Sequence, residues 1–357
     1  MNCSIVFVRG SAPNSEGWVA NPSHDPNGGE RAIWAVHPTG GPAWKIVVGA
    51  DPVLSPDGRA VIYVKGGQIY RARVGVATPK DSVERGEKPI IKEWGSQSEA
   101  RWSPDGSKIA FVSSRVNHSF IGIYDVASRT VKYLAPSVDF DTGPSWSEDG
   151  TQVAFMRRPG LAFGEQRQPG TGSMGNPAGP AAGGGSALCP APVRRGQSDD
   201  DPPPDTTRSK VKEVPGLCSA TFPGGHKLSV MVGDVGTLQG REVWHPAAKD
   251  STFAVVYAAI FAGQRLVMPT SAPNDEWERY WSISAAGSAT QQPVMLTTTN
   301  GLIEDATSAA LSKDKRTLYY ATNASDIERR HIWSVPVAGG TPRQLTSGDG
   351  IEWSSPR

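Results

Sequence analysis

Residues 101–115 read RWSPDGSKIAFVSSR, a tryptophan, a tight polar corner and then an apolar run, and the chain writes this unit more than once. The corner recurs as Ser55-Pro-Asp-Gly58, Ser103-Pro-Asp-Gly106, Ser147-Glu-Asp-Gly150 and Ser312-Lys-Asp-Lys315. Proline presets φ at the first central turn position, aspartate bonds locally to the backbone, and glycine takes the left-handed position that closes a short hairpin. Asp57, Gly58, Asp105, Gly106, Asp149 and Gly150 are therefore read as structural corners joining two antiparallel strands. Asp57, Asp105, Asp149 and Asp314 recur because the turn needs them, not as catalytic carboxylates.

After each corner comes a β-rich run that is apolar on both faces: AVIYV (60–64), KIAFV (108–112), QVAFM (152–156) and TLYYA (317–321). Such strands need cover above and below. Further strands follow, as QIYRARV (68–74), FIGIYDV (120–126) and HIWSVPV (331–337), then VKYLAP (131–136) or PRQLT (342–346). With the strand before the corner, each unit has four. Ser55 to Ser103 is 48 positions and Ser103 to Ser147 is 44, the period of a four-stranded propeller blade. The sequence thus predicts an all-β fold, a β-propeller of four-stranded antiparallel blades stacked radially. The tryptophan before the corner, present as Trp102, Trp146 and Trp353 and replaced by Leu54 and Leu311, is placed between neighbouring blades.

Residues 4–48 supply strands two to four of a first blade. Complete blades are predicted from about 51, 97 and 142, a degenerate one from 251 and another near 305, with GIEWSSPR (350–357) as a lone first strand. That is about six blades' worth of strands, with the first and last blades incomplete. Two architectures fit: the last strand closes the first blade, or the chain is a slice of a larger propeller. The whole chain, 1–357, is read as one propeller domain, with a flexible Gly/Pro-rich insert over 159–226 in the fourth blade.

Lys plus Arg number 36 against 35 for Asp plus Glu, a balance that favours neither nucleic acid nor an anionic membrane as partner. No apolar run approaches a membrane span, and MNCSIVFVRG lacks the pattern of an export signal. Cys3, Cys189 and Cys218 make no disulfide framework or zinc pattern. His24, His37, His118, His226, His245 and His331 include no pair of metal-ligand spacing, so no metal and no cofactor are assigned. Gly170-Thr-Gly-Ser-Met-Gly175 matches the dinucleotide fingerprint, but no helix follows it. DPNGGE (25–30) lacks the alternating acidic ligands of a calcium loop. No serine sits in a nucleophile elbow, so no catalytic residues are assigned.

Long loops fall between strands two and three of the blades, at 10–31, 159–226, 270–279 and 321–330, and so on one face. A single elaborated face on a rigid scaffold is where binding is usually placed. The candidate substrate or partner residues there are Trp18, His24, Asp25, Arg157, Arg158, Asp275, Glu276, Trp277, Arg329 and Arg330.

The strings SIVFVRGSAPNSEGW (4–18), LSPDGRAVIYVKGGQIYRA (54–72), FMRRPGLAFGEQ (155–166) and above all SDIERRHIWSVPVAGGTPRQLTSGDGIEW (325–353) resemble the N-terminal propeller of bacterial prolyl oligopeptidase family serine peptidases, in the dipeptidyl-peptidase IV-like branch. The corner itself is also similar to that of the Tol-Pal system's periplasmic propeller. The family resemblance implies a non-catalytic propeller, seven-bladed in the parent protein, that gates peptide access and docks on an α/β-hydrolase domain carrying the Ser, Asp and His triad. It also implies a periplasmic or secreted parent, with a cytoplasmic one as the alternative. That branch holds the substrate's free amino group with an acidic pair; Asp275-Glu276, in NDEWER, is an adjacent acidic pair on the elaborated face. The alternative is a stand-alone Tol-Pal-type interaction propeller.

Overall fold

The computed structural model describes residues 4–10, 31–75, 88–160, 221–303 and 309–351. Its described residues form antiparallel blades of a propeller, the third and fourth joined by a single parallel bridge between Ser119 and Phe140. The first blade has β1 (Ile5–Arg9), β2 (Ala32–Val36) and β3 (Trp44–Val48). The second has β4 (Ala50–Leu54), β5 (Ala60–Lys65) and β6 (Gln68–Arg73), with a bridge from Ile69 to Ile91 in the fourth place. The third runs β7 (Ser96–Trp102), β8 (Lys108–Ser114), β9 (Ser119–Asp125) and β10 (Thr130–Leu134). The fourth runs β11 (Phe140–Trp146), β12 (Gln152–Arg158), β13 (Ser229–Asp234) and β14 (Gly240–Trp244).

In the fifth blade the first strand is broken into β15 (Val255–Val256) and β16 (Ile260–Ala262), followed by β17 (Arg265–Ser271), β18 (Arg279–Ser284) and β19 (Val294–Met295). The sixth has β20 (Ala310–Leu311), β21 (Thr317–Thr322), β22 (His331–Pro336) and β23 (Arg343–Gln344). Blade starts match the sequence reading, including the degenerate one. Residues 352–357, on which ring closure was expected to turn, lie outside the described residues, as do Trp353, the three cysteines, the segments 25–30 and 170–175, and insert residues 161–220. The end of the insert is described, and it holds a hydrogen-bonded turn: Phe222 N–H donates to the His226 carbonyl at 2.9 Å, and Gly225 N–H to the Phe222 carbonyl at 2.9 Å.

Strands apolar on both faces feed two cores. Alternate residues of a strand point to opposite faces, and β8 sends Ile109 and Phe111 into the core shared with the second blade. Its Ala110 and Val112 enter the core shared with the fourth. The fourth blade repeats this, with Val153 and Phe155 facing back and Ala154 and Met156 facing forward. The indoles occupy the seams as expected. Trp102 Nε1 donates to the Val53 carbonyl at 3.2 Å and Trp146 Nε1 to the Arg101 carbonyl at 3.0 Å, each reaching back to the first strand of the preceding blade.

The corner is more tightly organised than its Pro-Asp-Gly reading implies, because serine is part of it. Ser103 Oγ donates to Asp105 at 2.6 Å and accepts from Lys108 N–H at 2.9 Å, while Asp105 also accepts from Ser107 N–H at 3.0 Å. The same web forms at Ser55–Asp57, Ser147–Asp149 and Ser312–Asp314. These hydroxyl and amide donors, serine first, hold the Asp105 carboxyl down at about 2. Gly106 has φ +72°, whereas the last corner places Lys315 at φ +56°.

Candidate functional site

The β12–β13, β17–β18 and β21–β22 connections emerge on one face, as the up-and-down order requires, and the Ser-Asp corners turn on the other. Trp18, His24 and Asp25 lie outside the described residues. The remaining candidates do not converge into one cluster. Most of the charged ones are occupied by neighbours.

Arg157 pairs directly across the sheet with Asp141. Its Nε donates to Asp141 Oδ1 at 2.7 Å and one terminal nitrogen to Oδ2 at 2.9 Å; that nitrogen also reaches the Ala135 carbonyl at 2.6 Å. Asp141 is fully buried. Burial pushes its carboxyl up to about 6 against the pull of Arg157. Burial lowers the Arg157 pKa, but the bonds and charge of Asp141 outweigh it and leave the guanidinium raised. Since Ala135 follows the last strand of the third blade, Arg157 is a clamp between blades. Arg158, half-buried, donates to the Val256 carbonyl of the fifth blade at 3.1 Å. Burial lowers its pKa, with the charge of Glu99 opposing.

Asp275 accepts two bonds from Arg279, at 2.8 and 3.2 Å, and one from Trp277 N–H at 3.0 Å. The Arg279 bond is the main reason its carboxyl lies below the ordinary range. Arg279 in turn holds the Thr297 and Thr299 carbonyls, so the pair is a loop strut. Glu276 beside it is exposed and Trp277 half-buried. The two acidic groups thus differ in role: one is saturated by an arginine, the other open to solvent. Arg329 is paired with Asp326 at 2.8 Å and lies 3.5 Å from Asp349; Arg330 is half-buried.

An aromatic group absent from the sequence candidates stands on the same face. The Arg115 guanidinium lies 5.4 Å over the Trp94 ring and 5.8 Å over Phe120, and it donates to the Tyr133 hydroxyl at 3.0 Å. His118 packs edge-on to Phe120 at 4.6 Å. Trp94 remains 68% exposed. These residues come from a link between blades and from the β8–β9 loop, so no local spacing announces them.

A second group lies at the outer edge of the fourth blade. His226 Nε2 is 3.6 Å and His245 Nδ1 3.0 Å from Glu242 Oε1, and the two imidazoles stack at 3.9 Å. Burial, then the neighbouring His245, lowers the His226 pKa in spite of Glu242. The sequence reading found no ligand spacing among the histidines; the β13–β14 hairpin brings together residues 19 positions apart. Ser229 Oγ is 3.3 Å from His226 Nε2. This is not an acyl-transfer relay, which needs serine on one imidazole nitrogen and the carboxylate on the other. Here both address Nε2, and Ser229 is a strand residue only 5% exposed.

No family model matches the chain, and no curated protein matches it. Solved structures do. The β-propeller domain of the Trilobed protease from Pyrococcus furiosus, described as having an open velcro topology, is 10% identical with a TM-score of 0.51, covering 97% of this chain and 82% of that one. Pyrococcus horikoshii acylaminoacyl peptidase is 10% identical with a TM-score of 0.50, covering 98% of this chain and 44% of that one. TolB from Acinetobacter baumannii is 14% identical with a TM-score of 0.48, covering 98% of this chain and 65% of that one. The chain therefore spans less than half of the peptidase and just under two thirds of TolB. The fold is a β-propeller. Among the described residues, no helix is long and apolar enough to cross a membrane.

Proposed function

We propose that this chain is the propeller portion of a prolyl oligopeptidase-type serine peptidase, which gates peptide access and docks on an α/β-hydrolase domain. The observation that supports this most is a rigid blade array whose long connections gather on one face, with exposed Trp94 held over Arg115 there and no serine–imidazole–carboxylate relay among the described residues. The strings at 54–72 and 325–353 that resemble that family's propeller add to it. An indole fixed by a guanidinium offers a flat apolar surface to a passing peptide at little entropic cost. Glu276 is solvent-exposed, whereas Asp275 is bound by Arg279, so on this reading Glu276 is the member of the acidic pair that would meet a peptide's free amino end.

Two measurements test this reading. The purified chain should show no turnover of an N-terminal dipeptide nitroanilide. Turnover abolished by a serine-directed inhibitor would refute the non-catalytic role. Sequencing the continuous reading frame around the coding region should reveal an in-phase downstream G-x-S-x-G segment, and a stop codon immediately after residue 357 would remove the hydrolase partner in cis.

A further inference from the structure

The outer edge of the fourth blade carries a site that neither the repeat nor the peptidase reading uses. It originates in an irregularity of the β13–β14 pairing. Val230 faces Trp244 but Met231 faces Glu242, so Val243 is an extra residue in the outer strand. A bulge of this kind re-aims side chains. Val243 and Trp244, consecutive residues, both enter one core, and Glu242 and His245 on either side of them are turned toward one another. His226 arrives from the turn that precedes β13, closed by the Phe222–His226 backbone bond. Its ring is fixed between Phe222, 5.1 Å away, and His245.

We propose that His226, Glu242 and His245 bind a first-row divalent metal ion, zinc by preference, with a further coordination position left for water or an exogenous ligand. Two imidazoles and one carboxylate form the donor set of zinc sites that keep a position open, whereas structural sites fill all four from the protein. The distances suit it. A tetrahedron with metal–donor bonds of about 2.0–2.1 Å has edges of about 3.4 Å, and the two nitrogen–carboxylate edges here are 3.0 and 3.6 Å. All three donor atoms lie within 4.8 Å of one another, so the remaining edge closes by turning one imidazole out of the stack. The bonding groups are half-buried or buried, with side-chain exposures of 10, 30 and 24%, which limits competing water without blocking entry. Ser229 Oγ, 3.3 Å from His226 Nε2, supplies a neighbouring neutral oxygen.

The test uses the full chain, stripped with EDTA and titrated with cobalt chloride and then zinc chloride. One equivalent of cobalt should produce the intense visible bands of a four-coordinate ion, and zinc should bleach them. Glu242→Gln and His245→Ala should each weaken zinc binding by more than about 100-fold, since even an outer-shell partner is worth 10–100-fold. His118→Ala, an imidazole elsewhere on the face, should leave binding unchanged. Zinc should also raise the thermal midpoint of the parent chain and not that of Glu242→Gln, with far-UV circular dichroism establishing that the variants fold. Absence of the cobalt bands at millimolar cobalt would overturn the proposal. So would zinc affinity that survives both substitutions, because the ion would then be held elsewhere. Neither result bears on peptide binding at Trp94.

Discussion

Replacing Trp102 by alanine should remove the wedge between the second and third blades. The indole is 9% exposed and packs among Ile62, Ile69, Ile109, Phe111 and Tyr124, residues from both blades. Truncating such a ring in a close-packed core costs about 3–5 kcal/mol, the spread reflecting how far the cavity relaxes. Its N–H also serves the Val53 carbonyl. Phenylalanine keeps most of the area but drops that bond, and should cost about 1–2 kcal/mol. Trp94→Ala is the control, since a 68% exposed ring has little to lose on unfolding, within about 0.5 kcal/mol. Urea denaturation followed by far-UV circular dichroism, which does not depend on the deleted indoles, ranks the three. Repeat arrays can unfold in parts, so amide exchange across β4 to β9 should locate the loss at this seam. If Trp102→Ala costs no more than Trp94→Ala, the indoles are not wedges and the account of radial stacking fails.

Asp141→Asn should cost about 3–5 kcal/mol, because it leaves the Arg157 guanidinium in the seam without its counter-charge; equilibrium unfolding near neutral pH checks it, and a loss under 1 kcal/mol would refute the clamp. The Asp105 carboxyl, held at about 2 against 3.8, is depressed on folding, so its contribution is complete above about pH 4 and is lost as pH falls through about 2. Exposure limits that contribution to about 1 kcal/mol, and the acid-side drop in thermal midpoint between those values should shrink in Asp105→Ala. Lys315→Gly should stabilise by about 0.5–1 kcal/mol, relieving a left-handed residue at φ +56° less the entropy that glycine loses; a lower thermal midpoint would contradict this. Leu311 occupies the tryptophan place at the last seam, beside a cleft of about 270 Å³ lined also by Ile260, Val267 and Tyr280. Leu311→Trp should raise the thermal midpoint by an amount equivalent to about 1 kcal/mol, and a fall would mean the seam is already full.

The readable part of this molecule is whatever repeats or alternates. Corners, doubly apolar strands and seam tryptophans each rest on residues within a few positions of one another, so their physics is local and their recurrence visible. The identity of the elaborated face follows from strand order alone. What such reading misjudges is whether a charged residue on that face is free. Arg157, Asp275 and Arg329 look like available loop charges, yet each is taken by a partner, and only Asp326 and Arg279 are near enough in sequence to have been suspected. Asp141 sits 16 positions before Arg157, and the pairing exists because the β11–β12 register sets them opposite.

The same logic explains why the histidine pair escapes a spacing search. On a regular strand, residues 242 and 245 would face opposite sides, and ligand patterns written for helices or short loops do not describe them. One extra residue in β14 reverses the alternation and lets Glu242 and His245 meet. His226 joins them only because a turn at 222–226 fixes the backbone ahead of β13. Chemistry on a propeller is therefore most easily hidden where a blade departs from its own repeat. Among the described residues such departures include the broken first strand of the fifth blade, the short first strand of the sixth, and the bulged outer strands of the first and fourth. Among these, the bulge in the fourth blade gathers nitrogen and oxygen donors around one point, His226, Glu242 and His245.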